Sequence, residues 1–384
     1  MEHVVRPFIA VFSDVPDFRH AQGKRHRLPL VLTLVTLALI NQQNSLGQIA
    51  AWVHGLDGQA RQRLHLRHNR VPSYATFRRV LLQIDTAALA QALQAWVEEV
   101  LRAYFPAATW QGLAIDGKTL RGSADEEVDL PALQVLNAMI HSLGVVLQSQ
   151  AIPAQTNELG AIRSFLEKIV LTGRVVSFDA LYAHPDLAQL IVNRDGHYLM
   201  RVKANQLHLL RAFETWFQDP APTRQPETYL YSTTVKGHGR LVQYTLRTTE
   251  ALSAYVQLEF HWPCVGQVFQ IQRRCLNLST GEVTTTIHYA ITSLKAHPAG
   301  PATLFRLWHQ HWNVETKGHW VLDTVFGEDR SSARKAHLPE ALSLMRKAVI
   351  SLLRLFGQDG ITRNRSRLSA NVDSALSFVG VPLE

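Results

Sequence analysis

The order of strand-like and helix-like segments around two aspartates constrains the fold of this chain more than any other sequence feature. Asp116 directly follows the apolar run Gly-Leu-Ala-Ile, and Asp179 directly follows the β-branched and aromatic run Val-Val-Ser-Phe. Between them lie two apolar runs joined by Ser-Leu-Gly, which is a hairpin signal, and then apolar residues at helical spacing. The predicted elements, in order, are a strand at 112–115, hairpin strands at 133–141 and 145–152, a helix at 157–170 and a strand at 174–178.

Three antiparallel strands followed by a helix and a parallel strand form the ribonuclease H-like order, in which the first and fourth strands lie side by side. This order would bring the carboxylates of Asp116 and Asp179 together, and Glu315, on a predicted helix over 303–320, could complete the group. Crowded carboxylates repel one another unless a divalent cation holds them, and a ligand set of oxygens favours Mg²⁺ or Mn²⁺. Two such ions about 4 Å apart can stabilise both the attacking and the leaving oxygen of a phosphodiester displacement. Asp116 would then bridge both ions, with Asp179 on one and Glu315 on the other.

Composition divides the rest of the chain into segments of different character. The expected fold class is α/β, with a ribonuclease H-like core that carries a β-rich insertion and follows an all-helical N-terminal domain. The predicted segments are a basic, helical, DNA-binding domain at 1–108, the first part of the core at 109–219, the β-strand insertion at 220–296, the second part of the core at 297–356 and a loosely held polar tail at 357–384.

The charge balance points to an acidic partner. The chain has 39 Lys and Arg against 31 Asp and Glu, a net charge of +8, and nucleic acid is the commonest partner of so basic a protein. Residues 61–79 hold six Arg, two His and no acidic residue. A solvated helix face is the alternative interpretation, but the absence of interleaved acids favours phosphate contacts. The predicted DNA-binding residues of this stretch are Arg63, Arg67, Arg70, Arg78 and Arg79.

Other sequence features suggest a cytoplasmic protein. Cys264 and Cys275 could pair only with each other and lie in no zinc-ligand spacing. The most apolar run, 28–40, is too short to span a bilayer, and the N-terminus lacks the pattern of a cleavable signal peptide.

Four residues around Glu315 allow a second interpretation as a zinc site. On a regular helix His311, Glu315, His319 and Asp323 are spaced by four and would share one face. Their order is not the HExxH of zinc proteases, so the oxygen-ligand interpretation is favoured. The neighbouring tryptophans are expected to pack in a core, with stacking on a DNA base as the alternative; they are Trp308, Trp312 and Trp320.

A series of motifs resembles the bacterial DDE transposases of the H-repeat-associated, ISAs type, within the IS-four-like superfamily. The resemblance runs through nearly the whole chain in the order of the family. The matching segments are 17–27, 72–80, 114–123 (Ala-Ile-Asp-Gly-Lys-Thr-Leu-Arg-Gly-Ser), 156–158 (Thr-Asn-Glu), 176–180, 198–206, 238–240 (His-Gly-Arg), 311–315 (His-Trp-Asn-Val-Glu) and 319–323.

The resemblance implies a DNA transposase, a two-metal-ion polynucleotidyl transferase and endonuclease. Asp116, Asp179 and Glu315 would be its catalytic and metal-binding triad, working with Mg²⁺, for which Mn²⁺ would substitute. Water would first release a 3′-OH at the ends of an insertion sequence, and that 3′-OH would then attack target DNA. The expected partner is double-stranded DNA, bound by a homodimer. Further DNA-binding residues would be Lys118, Lys203, His238, Arg240, Trp312 and His319; Lys203 could equally be a solvated strand end.

Four positions depart from the pattern of the family: Gln155, Val242, His309 and Thr316. None of them removes a carboxylate of the triad, so metal binding should survive, whereas DNA positioning could be altered. Two alternative functions therefore remain open. One is a domesticated, inactive transposase-derived protein that only binds DNA, and the other is a nuclease that cuts without joining strands.

Overall fold

The computed structural model of the chain describes residues 5–105, 110–153, 156, 158–218 and 228–382. The α-helices are α1 (Leu28–Ile40), α2 (Leu46–His54), α3 (Gly58–Arg63), α4 (Tyr74–Gln83), α5 (Thr86–Tyr104), α6 (Glu158–Glu167), α7 (Pro185–Val192), α8 (Leu207–Gln218), α9 (Ser253–Phe260), α10 (Pro301–His311), α11 (Trp320–Thr324), α12 (Leu338–Phe356), α13 (Ile361–Ser369) and α14 (Val372–Phe378). The strands are β1 (Gln111–Leu120), β2 (Leu133–Ile140), β3 (Val145–Ala151), β4 (Arg174–Phe178), β5 (His197–Val202), β6 (Thr228–Gly237), β7 (Arg240–Thr249), β8 (Gln267–Asn277) and β9 (Val283–Thr292). Among the helices of these residues, none combines the length and the apolar character needed to cross a membrane.

The chain forms two units, and both of them are discontinuous in sequence. Unit 1 contains residues 1–108, 117–161 and 313–384, and unit 2 contains residues 109–116 and 162–312. Strand β1 therefore contributes its first six residues to unit 2 and its last four to unit 1. The predicted segments at 1–108, at 357–384 and in part of the core belong to the same unit.

Unit 2 is built on a mixed sheet with the strand order β1-β4-β5-β9-β8-β7-β6. β1 pairs with β4 in parallel, and β4 pairs with β5 in parallel, so the first and fourth strands are neighbours as the ribonuclease H-like order predicts. β9, β8, β7 and β6 follow in antiparallel order beyond β5. The predicted β-rich insertion thus extends the same sheet. The apolar face of the sheet packs against one side of α10. The residues of α10 in this contact are Leu304, Leu307 and Trp308.

Unit 1 surrounds the long helix α12. All but three of the nineteen residues of this helix are buried, and it packs against α1, α4, α5 and the β2–β3 hairpin. Helix α1 is apolar on every side, which is typical of a helix enclosed by its neighbours. The buried Lys347 of α12 donates a hydrogen bond to Ser149 Oγ over 2.8 Å, and burial lowers the pKa of Lys347 to about 8.

The C-terminal segment is folded, which corrects the prediction of a loosely held tail. Arg365 of α13 is buried and donates hydrogen bonds to the carbonyls of Leu39 and Val325 and to the side chain of Asn44. Its guanidinium also lies 4.3 Å from the centre of the Phe326 ring. Polar residues of this segment, such as Arg365, therefore form buried hydrogen bonds within unit 1.

Arg63 does not face outward, so the prediction that it contacts DNA is wrong. Its side chain is 5% exposed. It forms an ion pair with Asp373 and donates hydrogen bonds to Ser377 Oγ and to the carbonyl of Pro382. Arg63 therefore holds α3 to the C-terminal segment.

Replacing Arg365 by Ala should destabilise unit 1. The change leaves several buried carbonyl groups without their donor, which should cost roughly 2–4 kcal/mol. Urea unfolding followed by circular dichroism measures this loss. Arg363→Ala, at an exposed arginine of the same helix, is the matched control and should change the free energy of unfolding by less than about 0.5 kcal/mol. Equal midpoints for the two variants would contradict the role given to Arg365.

Candidate functional site

Strand pairing in unit 2 places two aspartates at equivalent positions of neighbouring strands. The register pairs Ala114 of β1 with Ser177 of β4, and Asp116 and Asp179 each follow two residues later. Asp116 lies within β1 and Asp179 is the first residue after β4, so the two aspartates lie at the same end of neighbouring parallel strands. Both side chains are partly exposed, so they are accessible to a ligand.

Two cations surround the carboxylate of Asp179. Lys203 Nζ lies 2.9 Å from Oδ2 and Arg201 Nη1 lies 3.8 Å from Oδ1. Burial alone would raise the pKa of Asp179, but the hydrogen bond from Lys203, the amide of Ala180 and the charge of Arg201 together hold that pKa below its usual value. The carboxylate is therefore ionised near neutral pH, as a metal ligand must be. Lys203, predicted to contact DNA, is half-exposed and bonded to this aspartate.

Arg201 was missed by the sequence analysis. Its guanidinium bonds to His288 Nδ1 over 2.6 Å and lies 5.6 Å from the centre of the Trp312 ring. Burial, together with the charges of Arg201, Lys203 and Arg273, lowers the pKa of His288 to about 4. The imidazole is thus neutral and accepts at Nδ1. A signal for Arg201 was present, because residues 201 and 203 of a strand share one face.

Helix α10 ends close to the same strand. His311 Nδ1 lies 2.7 Å from Ser177 Oγ, two residues before Asp179. Trp308 is buried in the core of unit 2, whereas Trp312 is 39% exposed and lies 4.9 Å from Trp308 between ring centres. The prediction of core packing is confirmed for Trp308, and Trp312 keeps an accessible ring.

In unit 1, Glu315 lies in a π-helical turn that spans Val314–His319. Such turns are rare and are frequent at functional sites. Glu315 Oε2 lies 3.4 Å from His319 Nδ1, and the Glu315 side chain is mostly exposed. His319, predicted to contact DNA, is buried, and its ring lies beside the glutamate. Trp320, expected in a core, is 60% exposed.

Lys118, predicted as a phosphate contact, is bonded to carboxylates within unit 1. Its Nζ lies 2.8 Å from both carboxylate oxygens of Asp323 and 3.7 Å from Asp329 Oδ1, and the residue is only 9% exposed. A Cβ atom on Gly122 would lie 2.3 Å from the carbonyl oxygen of Ser331. The end of β1 is therefore held tightly to residues 323–331, a contact that the sequence analysis did not assign.

The four residues considered as a zinc site do not act as one ligand set. His311 bonds to Ser177, and Asp323 bonds to Lys118. The spacing by four assumed a regular helix, and the π-helical turn interrupts that regularity. Glu315 and His319 remain neighbours, with Oε2 and Nδ1 3.4 Å apart.

The other predicted DNA contacts lie on the surface of their units. His238 belongs to the tight turn between β6 and β7, and Arg240 is the first residue of β7; both are exposed. The remaining predicted arginines of unit 1 are also exposed; they are Arg67, Arg70, Arg78 and Arg79.

The departures from the family pattern have different surroundings. His309 packs between the rings of Tyr244 and Phe305, each 5.4 Å away, and burial lowers its pKa. Val242 lies in β7 opposite Val235. Thr316 lies in the π-helical turn, and Gln155 lies outside the described residues.

Asp323→Asn should destabilise the end of β1. The change removes the negative charge of the Asp323 carboxylate, both oxygens of which contact Lys118. This loss should lower the free energy of unfolding by about 2–3 kcal/mol. Urea unfolding of unit 1 measures the effect. Asp359→Asn, an exposed aspartate of the same unit, makes the same chemical change and should alter stability by less than about 0.5 kcal/mol. A variant at 323 as stable as the control would show that the ion pair contributes little.

His288 should make stability depend on pH between 4 and 6.5. Its pKa is about 4 in the folded chain against 6.5 for an ordinary histidine, so the unfolded chain binds the extra proton in this window. Stability contributed by His288 is complete above pH 6.5 and is lost as the pH falls towards 4. Urea midpoints across this range should fall less steeply for His288→Gln than for the wild type. Parallel curves would contradict the assignment of a neutral, accepting His288.

Comparison with known proteins gives matches along most of the chain. Residues 111–352 match the model of the "Transposase DDE domain" family, and residues 9–97 match the family described as "DDE_Tnp_1-associated". "Putative transposase YncI" of Escherichia coli O157:H7 is 28% identical over 383 residues, which cover 96% of this chain and 93% of the relative. "H repeat-associated putative transposase YhhI" of Escherichia coli K12 is 28% identical over 361 residues, 92% of this chain and 89% of the relative.

Among solved structures, the piggyBac transposase in a synaptic complex with hairpin DNA matches with a TM-score of 0.45 and 10% identity, over 98% of this chain and 77% of that one. The family assignment does not depend on that likeness. The transposase model alone spans more than half of the sequence, and the resemblance of the motifs is confirmed: this chain belongs to the DDE transposases, of the IS4-like type.

Proposed function

We propose that this chain cuts DNA at the ends of an insertion sequence and joins the released ends to target DNA, with a divalent metal ion as cofactor. The observation that carries the proposal is that Asp116 in β1 and Asp179 directly after β4 lie at the same end of parallel neighbouring strands, in a chain of the DDE transposase family. The strand order around them supports a ribonuclease H-like core. Glu315 is the third carboxylate by the match of its motif to the family.

The proposed metal ligands are the carboxylates of Asp116, Asp179 and Glu315. Their donor set fits Mg²⁺ or Mn²⁺, because it consists of hard, charged oxygens that leave coordination positions for water and substrate. The lowered pKa of Asp179 supports this fit. A bound pair of ions would supply activation of the attacking oxygen and stabilisation of the leaving oxygen.

The cations beside Asp179 have a proposed role in binding the substrate. Lys203 neutralises Asp179 through their 2.9 Å contact. A metal ion held by that carboxylate would take over its charge, and the ammonium group of Lys203 would then be available to a DNA phosphate. Arg201 stays in place, because His288 and Trp312 hold two sides of its guanidinium. The chain thereby keeps a fixed positive charge next to the proposed site of cleavage.

The proposed reaction has two displacements at phosphorus. In the first, water attacks the phosphodiester at the element end, the P–O3′ bond breaks and the 3′ oxygen leaves as a hydroxyl group. In the second, that 3′-OH attacks a phosphodiester of the target, one P–O bond forms as another breaks, and no oxidant or energy source is consumed. A homodimer would cut and join two ends together.

Cleavage of a supercoiled plasmid that carries the sequences flanking the gene tests the proposal. Wild type should cut in Mg²⁺ and not in Ca²⁺, and Asp179→Ala should reduce cutting at least about 100-fold because a charged ligand is lost. Asp186→Ala, at an exposed aspartate of unit 2, is the matched control and should cut like wild type. Strand joining is measured separately, by recovery of the labelled end in target DNA.

Each outcome of this experiment separates the functions. Cutting without recovery of joined ends would leave a nuclease. A folded wild type that shifts the flanking DNA but does not cut it in Mg²⁺ would replace the proposal by a transposase-derived DNA-binding protein.

A further inference from the structure

Helix α4 forms an exposed, basic ridge on unit 1. Its buried side is formed by Phe77, Val80 and Leu81. The opposite side carries no carboxylate along the ten residues of the helix. The exposed residues of that side are Tyr74, Ala75, Arg78, Arg79 and Gln83.

A depression lies on one side of this ridge. It has a volume of about 660 Å³ and is lined by Tyr74 and Arg78 from α4 and by Arg330, Arg334 and Lys335 from the segment before α12. Arg334 shares its charge with Asp125, 3.6 Å away. The excess of basic groups makes this depression suited to a phosphate backbone.

A second depression is lined by the other side of the helix. Its volume is about 310 Å³, and Thr76 and Arg79 from α4 line it together with Arg19 and Arg25 from the N-terminal segment. Arg19 is paired with Asp17 at 2.8 Å, whereas the side chain of Arg25 is exposed. No carboxylate belongs to the lining of this depression among the described residues.

The positions along α4 explain why the two depressions lie on opposite sides. Residues advance by about 100° along a helix, so Tyr74 and Thr76 lie on opposite sides of α4. The adjacent Arg78 and Arg79 lie about 100° apart on the outward side between them and border one depression each. The ridge between them is a single helix about 10–12 Å wide including side chains, and the major groove of B-DNA is about 12 Å wide. In the part of the chain that the structure describes, neither Arg78 nor Arg79 has a side-chain hydrogen bond or ion pair, so both guanidinium groups remain available to a ligand.

We propose that α4 enters the major groove of double-stranded DNA, with Arg78 and Arg79 at the base edges and the two flanking depressions on the phosphate backbones. The inference rests on the proposed function, which makes DNA the partner. It adds the helix that reads the DNA sequence and the contacts by which it does so. A guanidinium group can donate two hydrogen bonds, to O6 and N7 of guanine, and a lysine cannot reproduce this geometry. Phosphate contacts from Arg25 and Lys335 would fix the position of the helix on the duplex.

The test compares two kinds of variant of the full chain by fluorescence anisotropy, with a labelled duplex of the sequence flanking the gene and one of unrelated sequence. Arg78→Lys with Arg79→Lys keeps the charge, and should weaken binding of the flanking duplex roughly 10- to 100-fold while changing the unrelated duplex little. Arg25→Ala with Lys335→Ala should weaken binding of both duplexes. It should also reduce the slope of log K against log salt concentration by about two, because two phosphate contacts are lost. Arg102→Lys on α5, which lines neither depression, is the control and should bind both duplexes like wild type.

Two further measurements locate the helix in the groove. Bound wild type should protect guanine N7 in the flanking duplex from dimethyl sulfate, and the double lysine variant should lose that protection. A duplex RNA of the same sequence should compete at least about tenfold less well, because its deep major groove is too narrow for a helix.

The outcomes distinguish this inference from the proposed function. If wild type binds neither DNA duplex, DNA is not the partner and both fail. If wild type binds DNA and the lysine variant binds the flanking duplex equally, with N7 still protected, α4 is not the reading helix although the proposed function stands. Equal competition by RNA would likewise overturn insertion into the major groove. Thermal unfolding of each variant confirms that these surface changes leave the fold intact.

Discussion

The partly buried carboxylate of Asp179 is the charge that unit 2 must compensate, because burial alone would raise its pKa. The pairing of β1 with β4 brings Asp116 and Asp179 to the same end of neighbouring strands, and both side chains are partly exposed. A partly buried carboxylate is costly unless opposite charge lies nearby. Lys203 and Arg201 supply that charge to Asp179, and His288 and Trp312 contact Arg201 on two sides. In the proposed reaction a bound divalent cation would supply positive charge to the same carboxylate.

In unit 1 the charges that need partners are buried basic side chains. Lys118, Arg346 and Lys347 are all at least nine-tenths buried, and each has a carboxylate or hydroxyl partner. A buried charge that loses its partner costs several kcal/mol, whereas an exposed pair contributes little. These contacts therefore define where the segments around α12 must lie, including residues 323–331, which come shortly after the π-helical turn that carries Glu315.

The sequence predicted what depends on local order and failed where partners are distant in the chain. The neighbouring placement of β1 and β4 followed from the order of elements, because that order admits few sheets. Lys118 was predicted as a phosphate contact from the resemblance to the family, and its partner Asp323 lies 205 residues away. Arg63 was predicted from the basic run at 61–79, and its ion-pair partner Asp373 is likewise distant in the chain. The π-helical turn at Glu315 has no pattern in the sequence that would distinguish it from a regular helix.

On the surface of unit 1, the exposure of two predicted residues agrees with the sequence. Arg78 and Arg79 were singled out from a run without acids, and they remain exposed on α4. Composition could not predict the two basic depressions beside that helix, because they are lined by segments that are distant from one another in the chain. The account therefore assigns chemistry to the carboxylates and recognition to a separate helix of unit 1.

The central claim, that Asp116, Asp179 and Glu315 bind one metal centre, is tested most directly with Fe²⁺ in place of Mg²⁺. Iron bound at that centre generates hydroxyl radicals with ascorbate and peroxide, and these radicals cut the polypeptide only near the ligands. The account predicts fragments that end close to residues 116, 179 and 315, all suppressed together by excess Mg²⁺. Cleavage at one of these positions without the others, or fragments that Mg²⁺ does not suppress, would contradict a shared metal site.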